Sequence, residues 1–299
     1  MNKWIITLFF SLIVNPLYAT EDMPGSGLLL LEDQSDGTVQ QALLLDAEAR
    51  VDITAMTANV VLRQTFHNPS TNWSHARYVF PLPENAAINR LKLQIGERII
   101  DGDIHEKRVA TQAYESAKSK GQQAALLSSS RPNLFSVDIA NLAPGESITA
   151  EINWIETVEF NDGRFSLRLP TTLTPRYIPG QPLRASPMLE QDLKTGTSGW
   201  ANNTNEVPDA AAITPPQTQP QAASHQLRLN VRIKPGLVLD SISSSSHPVQ
   251  WQQLGDQYDV TLKHSAMTMD RDFVLQWTPV PSHQPQAALF MDQSESEHY

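Results

Sequence analysis

The chain has 299 residues, 40% of them hydrophobic and 18% charged, with 21 prolines, 13 glycines and no cysteine. That length gives room for a sizeable core or about two domains, excluding a peptide hormone or disulfide mini-protein, and the apolar content excludes a wholly disordered chain. A net charge of −10 with no offsetting basic run removes the electrostatic footprint of a nucleic-acid binder.

The first predicted element is a leader. Residues 1–19 read MNKWIITLFFSLIVNPLYA, with Lys3 as the single charge, an apolar run from Trp4 to Val14, a break at Asn15-Pro16 and small Ala19 before Thr20-Glu21-Asp22. This pattern predicts a secretory signal peptide, because the apolar run is shorter than the roughly 20 residues that span a bilayer. No later segment approaches that length, so the mature chain is expected to have no transmembrane segment and to be exported to the periplasm, the cell surface or the medium. Without cysteine, such a chain has neither disulfides nor thiolate metal sites and relies on burial and strand pairing.

From residue 20 the dominant pattern is alternation with period two, the mark of half-buried strands. It is strongest where Leu91, Leu93 and Ile95 alternate with Arg90, Lys92 and Gln94, where Phe165, Leu167 and Leu169 alternate with Arg164, Ser166 and Arg168, and along Leu227 to Lys234. Weaker versions run over Val60 to Phe66, Ile148 to Trp154, Tyr258 to Leu262 and Phe273 to Trp277, separated by turn residues such as Asn161-Asp162-Gly163 and Pro235-Gly236. The expected fold is mainly β, an antiparallel sandwich.

One segment departs from that period. In residues 105–121, Val109, Ala113 and Ala117 recur at i, i+4, i+8 with Ala110 and Tyr114 beside them, which predicts an amphipathic helix lying across a sheet. Lys118 and Lys120 suit its last turn and Gly121 its end. Residues 181–224, rich in Pro, Thr, Asn, Gln and Ala, read as a linker or long mobile loop, with Trp200 tacked onto a neighbouring surface. Residues 225–280 resume the strand pattern and are expected to add strands to the first sandwich, ahead of a polar tail over 281–299.

Catalytic signatures are missing. There is no phosphate-binding GxxxxGK[ST], no GxGxxG, no GxSxG and no HExxH. The eight histidines never pair at i, i+4, and Asp101-Gly102-Asp103 with His105-Glu106 reads as a turn before the helix rather than a cation site. Ser128 to Ser130 and Ser243 to Ser246 have no evident base and read as loops. Asp292-Gln-Ser294-Glu-Ser296 has the formal DxSxS spacing of a von Willebrand A metal site, but only three residues follow it, too few to complete one. No metal, cofactor or catalytic residue is therefore assigned.

A run of motifs in order resembles the VIT (vault protein, inter-alpha-trypsin) domain over about residues 40–180. It comprises Arg77-Tyr78-Val79-Phe80-Pro81-Leu82-Pro83; Ile95-Gly96; Ile100 to Ile104; Glu106, Lys107, Ala110, Ala113, Tyr114, Ala117 and Gly121; Arg131-Pro132-Asn133-Leu134-Phe135; Ala140-Asn141-Leu142-Ala143-Pro144-Gly145; and Arg168-Leu169-Pro170. Arg131 to Phe135, with Pro175-Arg176-Tyr177-Ile178-Pro179-Gly180 and the leader, looks like the narrower group of marine proteobacterial sortase targets. Trp154 departs from the tyrosine usual at that strand position. The resemblance implies a scaffold or interaction role with no catalytic residues to carry over, with Phe80, Leu82, Ala110, Tyr114, Leu134 and Phe135 packing the helix on a sheet. It also implies a following von Willebrand A domain, a sorting motif and a hydrophobic tail. The chain stops at Tyr299 near where that domain would begin, so a shortened product and an N-terminal fragment both stay open.

The expected function is that of an exported, non-enzymatic interaction module of the cell envelope, its partner a protein or envelope component. Trp73, Trp200 and Trp251 in expected loops leave a carbohydrate-binding sandwich with a glycan partner as the alternative, and dispersed carboxylates such as Asp101 and Asp103 a periplasmic hydrolase as a third.

Overall fold

The computed structural model describes residues 27–102, 105–131, 133–172, 178–181, 183, 203–208, 210 and 225–281. The leader, Trp200 and the 282–299 tail with its DxSxS spacing lie outside the described residues. Strands β1 (Leu28–Asp33), β2 (Val39–Gln41), β3 (Leu43–Thr54), β4 (Thr57–His67), β5 (Ser74–Pro81), β6 (Ala87–Ile95) and β7 (Arg98–Asp101) precede the helix α1 (Lys107–Ser119). After it come β8 (Ala124–Arg131), β9 (Leu134–Leu142), β10 (Ser147–Thr157), β11 (Glu159–Asn161) and β12 (Arg164–Leu169). Beyond the Pro-rich stretch follow β13 (Gln226–Lys234), β14 (Leu239–Ser244), β15 (Val249–Leu254), β16 (Gln257–Leu262), β17 (Met267–Thr268) and β18 (Phe273–Pro279).

Among the described residues the strands form three sheets, ordered β2-β1-β5-β9-β8, β15-β16-β13-β3-β4-β10-β6-β7 with β17 beside β13, and β11-β12-β18-β14. The long sheet buries one face. Along β4, β10 and β13 every second residue is buried, among them Val60, Leu62 and Phe66, Ile148, Ile152 and Trp154, and Leu229, Val231 and Ile233. These side chains join those of the two smaller sheets in one apolar cluster, which makes the expected β-sandwich. Phe66 meets Tyr78 across the gap at 5.5 Å between ring centroids, and the Tyr78 hydroxyl donates to Gln64 Oε1. Gln64 is fully buried, and a side chain at Gly27, whose φ is +66°, would collide with its amide, so glycine is the residue that fits there.

The outer face of the long sheet is charged in rows. Register places Arg228, Glu48, Arg63, Glu151, Lys92 and Asp101 side by side across β13, β3, β4, β10, β6 and β7, with the sign alternating at every step. Arg228 reaches Asp46 at 2.8 Å and Glu48 at 3.6 Å, and two rows along the same face Arg232 lies 3.3 Å from Asp52. Each such exposed pair contributes little, about 0–1 kcal/mol, but a strand shifted by one residue would turn its charges inward.

Three details differ from the sequence reading. β13 runs parallel to β3, not antiparallel, because the chain returns to the sheet only after the long crossover that follows β12, and a parallel neighbour requires such a crossover. Ser128 to Ser130 lie in β8 rather than a loop, where Ser128 Oγ bonds Ser136 Oγ of β9 at 3.0 Å. At the Pro-rich stretch, Pro179, Gln181 and Leu183 are tied to residues 203–205: Leu183 N–H donates to Asn203 O, Asn205 N–H donates to Gln181 O, and Thr204 Oγ1 donates to Pro179 O at 2.6 Å.

Candidate functional site

The helix builds a cleft on the outer face of the five-stranded sheet. Its sequence, KRVATQAYESAKS, is dominated by good helix formers, and Tyr114 is its one buried residue. Ala110, Ala117 and Lys118 lie half-buried beside Tyr114, whereas Val109 is 46% exposed and Ala113 faces solvent. Of the expected apolar face, Ala110, Tyr114 and Ala117 pack and Val109 and Ala113 do not, because the large phenol ring sets which side of the helix is pressed to the sheet.

The C-terminal end is closed twice. Gly121 takes φ +70° while Gln122 N–H donates to Ala117 O at 3.0 Å and Gly121 N–H to Lys118 O at 3.1 Å, the Schellman arrangement. Asn141, at φ +56° on β9, then donates through Nδ2 to Lys118 O at 3.2 Å and to Gln122 O at 2.8 Å. Its Oδ1 accepts from Gln34 Nε2 at 3.1 Å, so one buried amide ties the helix end to the β1–β2 turn.

Between Tyr114 and the strands lies a cleft of about 130 Å³, lined by Glu32, His75, Arg77, Lys118 and Asp138 among others. Arg77 Nε contacts Asp138 Oδ1 at 2.6 Å. Burial, reinforced by the Asp138 carboxylate, pushes the Tyr114 hydroxyl far above its usual range, so it remains a protonated donor. Burial and then the Lys118 ammonium lower the His75 pKa, which keeps the imidazole neutral at pH 7 and lets Nδ1 accept the Asn141 backbone N–H at 3.3 Å. The cleft thus presents a protonated phenol, a neutral imidazole and an internal ion pair, suited to polar recognition.

Residues 44–154 match the family model of the vault protein inter-alpha-trypsin domain. The chain carries a VIT domain. Over 118 residues it is 32% identical to the protein mono-ADP-ribosyltransferase PARP4 of Mus musculus, covering 40% of this chain and 6% of that protein. It is 30% identical to human von Willebrand factor A domain-containing protein 5A over 42% of this chain and 16% of that one. Inter-alpha-trypsin inhibitor heavy chain H3 of Mus musculus is 29% identical over 50% of this chain and 17% of its own length. The chain thus spans less than a fifth of these relatives. Among solved structures, an M1 zinc metallopeptidase from Deinococcus radiodurans aligns with 79% of this chain and 42% of its own at 11% identity and a TM-score of 0.32, too distant to bear on fold or activity.

The structure places the described VIT signature residues on strands, turns and the helix. Phe80 is fully buried, stacked on Tyr78 at 5.0 Å and on Phe135 at 5.9 Å, and Leu82 is 1% exposed. They belong to the core between the sheets and not to the helix contact expected of them, because alternate residues of a strand face opposite ways: His75, Arg77 and Val79 point to the helix side. Leu134 pairs with Val79 in a small separate cluster. Pro81 ends β5, Leu82 N–H donates to Asn133 O, and Pro83 O accepts Ala86 N–H. Glu106 precedes α1 with its backbone carbonyl accepting Ala110 N–H, and Lys107 opens the helix. Arg131 pairs with Leu134 in the β8–β9 ladder, Pro144-Gly145 makes the β9–β10 turn, and Pro170 follows β12. Pro132, Pro175, Arg176 and Tyr177 lie outside the described residues.

The other sequence candidates are dispersed. Asp101 is held by Arg90 through contacts of 2.5 and 3.1 Å, Asp103 lies outside the described residues, and no group of three metal-ligating side chains occurs among those described. Ser246 Oγ approaches His247 Nδ1 at 3.0 Å but also accepts Val274 N–H, and His247 is a buried chain neighbour rather than a base across a cleft. Trp73 stands half-exposed in the β4–β5 loop, while Trp251 is on strand β15 and not in a loop. Asn141 was named from the sequence only as part of the family motif, and neither its left-handed backbone nor its tie to His75 was foreseen; the tolerance of asparagine for positive φ was the one available hint.

Proposed function

We propose that the chain is an exported VIT-domain protein that works without catalysis, as an interaction module of the bacterial cell envelope, and that it accompanies a von Willebrand A domain as part of a sortase-target-like surface protein. The observation that carries this reading is the cleft under α1. Three of its polar groups are already engaged, Arg77 with Asp138 and His75 with the Asn141 backbone N–H, while Glu115 and Lys118 in its lining offer opposite charges to a partner. The leader pattern of residues 1–19 supports export, and the von Willebrand A domain in the name of a relative supports the pairing of domains.

The test uses the full chain in its native host. Fractionation should place it in the envelope or medium, lighter than its 33.2 kDa precursor by the leader unless it belongs to a longer product. Photo-crosslinking from Glu115 should then trap one defined envelope component, and Lys118→Glu should cut that yield at least tenfold while leaving the thermal midpoint unchanged. Retention in the cytoplasm, or saturable turnover of a substrate abolished by a substitution in the cleft, overturns the proposal.

A further inference from the structure

The edges of the sheets are guarded unequally. An open edge strand offers unpaired backbone groups to any other strand, and proteins blunt it with charge, bulges, brevity or a cover. Strand β7 ends in Arg98 and Asp101, β2 and β11 have three residues each, β8 is bulged between Ser129 and Arg131 under α1, and β14 is bulged around Asp240. β15 has none of these devices. Its six residues, VQWQQL, contain no charge and no proline, and their register with β16 is unbroken from Val249↔Leu262 to Leu254↔Gln257. Among the described residues nothing pairs with its other side.

The side chains on this strand are arranged for pairing. Trp251 lies opposite Val260, a 1%-exposed core residue, so the indole stands on the core side of the sheet. It extends past the core, 43% exposed, with its ring 5.9 Å from that of Tyr258. Val249 packs against the same core, while Gln250 and Gln252 take the opposite face.

We propose that β15 pairs antiparallel with β15 of a second copy of this chain about a two-fold axis normal to the sheet. Such an axis keeps the faces of the two sheets continuous only when residues of the same parity meet. Centring it on Trp251 brings the two indoles together on the core side, an aromatic cross-strand pair, and sets Gln250 of each copy against Gln252 of the other. The strand is self-complementary about this axis, indole on indole and amide on amide, and against the repulsion of two chains of −10 it is a six-residue edge that adds no charge at the contact.

Sedimentation velocity on the full mature chain from about 1 to 200 µM tests the pairing, over a range suited to a small interface. The expected result is a reversible monomer–dimer equilibrium that Trp251→Lys weakens at least tenfold and that Ile99→Lys, on the opposite edge strand β7, leaves unchanged. Because the chain has no cysteine, register can be read directly. Mixing Gln250→Cys with Gln252→Cys under oxidising conditions should give a disulfide-linked dimer, and neither variant alone should do so. A monomer at every concentration, a dimer indifferent to Trp251→Lys, or equal cross-linking by the single variants overturns the proposal; the first outcome, with a larger bound species in envelope extract, would assign the edge to a foreign strand instead.

Discussion

The layer between the sheets and the surfaces outside it are built on opposite principles. Inside, Trp154, Trp277, Tyr78 and Phe80 are removed from water within one apolar cluster, so each position carries a large energy and little directional information. Outside, the charge row from Arg228 to Asp101 and the amide contacts of Asn141 carry small energies but fix which residue faces which. The difference teaches that stability and register are assigned to separate faces of the same strands.

The largest way to test that separation is Trp154→Ala, which opens a cavity in the core and should cost about 3–5 kcal/mol in denaturant unfolding. It also strips Glu156 of its indole donor, at present 3.0 Å from Oε1. Glu156 is a titratable exception to that apolar layer: burial is the main cause that pushes its pKa up to about 7, with the Trp154 bond opposing and the charge of Glu159 adding to it. The folded state therefore holds a proton that the unfolded state releases near 4.5, and stability should fall as pH rises from about 4.5 to about 7, then level off. The displacement corresponds to about 3 kcal/mol, so Glu156→Gln should raise stability by that order at pH 8 and flatten the thermal midpoint across the same window.

Smaller effects belong outside. Asn141→Ala forces a Cβ-bearing residue without a side-chain amide into φ +56° and leaves Lys118 O and Gln122 O without their Asn141 donor, so it should cost about 2–3 kcal/mol. Hydrogen exchange should show the loss concentrated at residues 117–122, and Asn141→Gly should recover part of it. The smallest expected effect is Arg63→Glu, which lines up three carboxylates with Glu48 and Glu151. It should cost about 1 kcal/mol or less at low salt and fade as ionic strength rises, whereas Trp154→Ala should be indifferent to salt.

The same division decides what could be read from the sequence. Strands β4, β6, β10, β12, β13, β16 and β18 have one wet face, so alternation announced them. β1 reads LLLLED and is buried almost throughout, and β5 and β9 are covered on one side by the core and on the other by the helix region, so period two fades along all three. The helix was legible in extent, but its expected apolar face was too wide, taking in Val109 and Ala113 with Ala110, Tyr114 and Ala117, since Ala and Val weigh as much as Tyr in a periodicity count and far less in packing. Neither the charge row nor the cleft could be read, because both depend on register: Arg63 meets Glu48 and Glu151 only once three strands are aligned, and His75 meets Asn141 across 66 residues of chain.

The parallel neighbour of β3 has a consequence in time. Residues 43–54 take β4 as one partner soon after they emerge, but their other edge waits for residues 226–234. At synthesis rates of about 5–20 residues per second, that edge stays open for on the order of 10 s or longer. An alternating strand bordered by Ala49, Val51 and Ile53 is adhesive during such an interval, so a chaperone that holds the nascent chain extended until β13 arrives would act at this seam before any other.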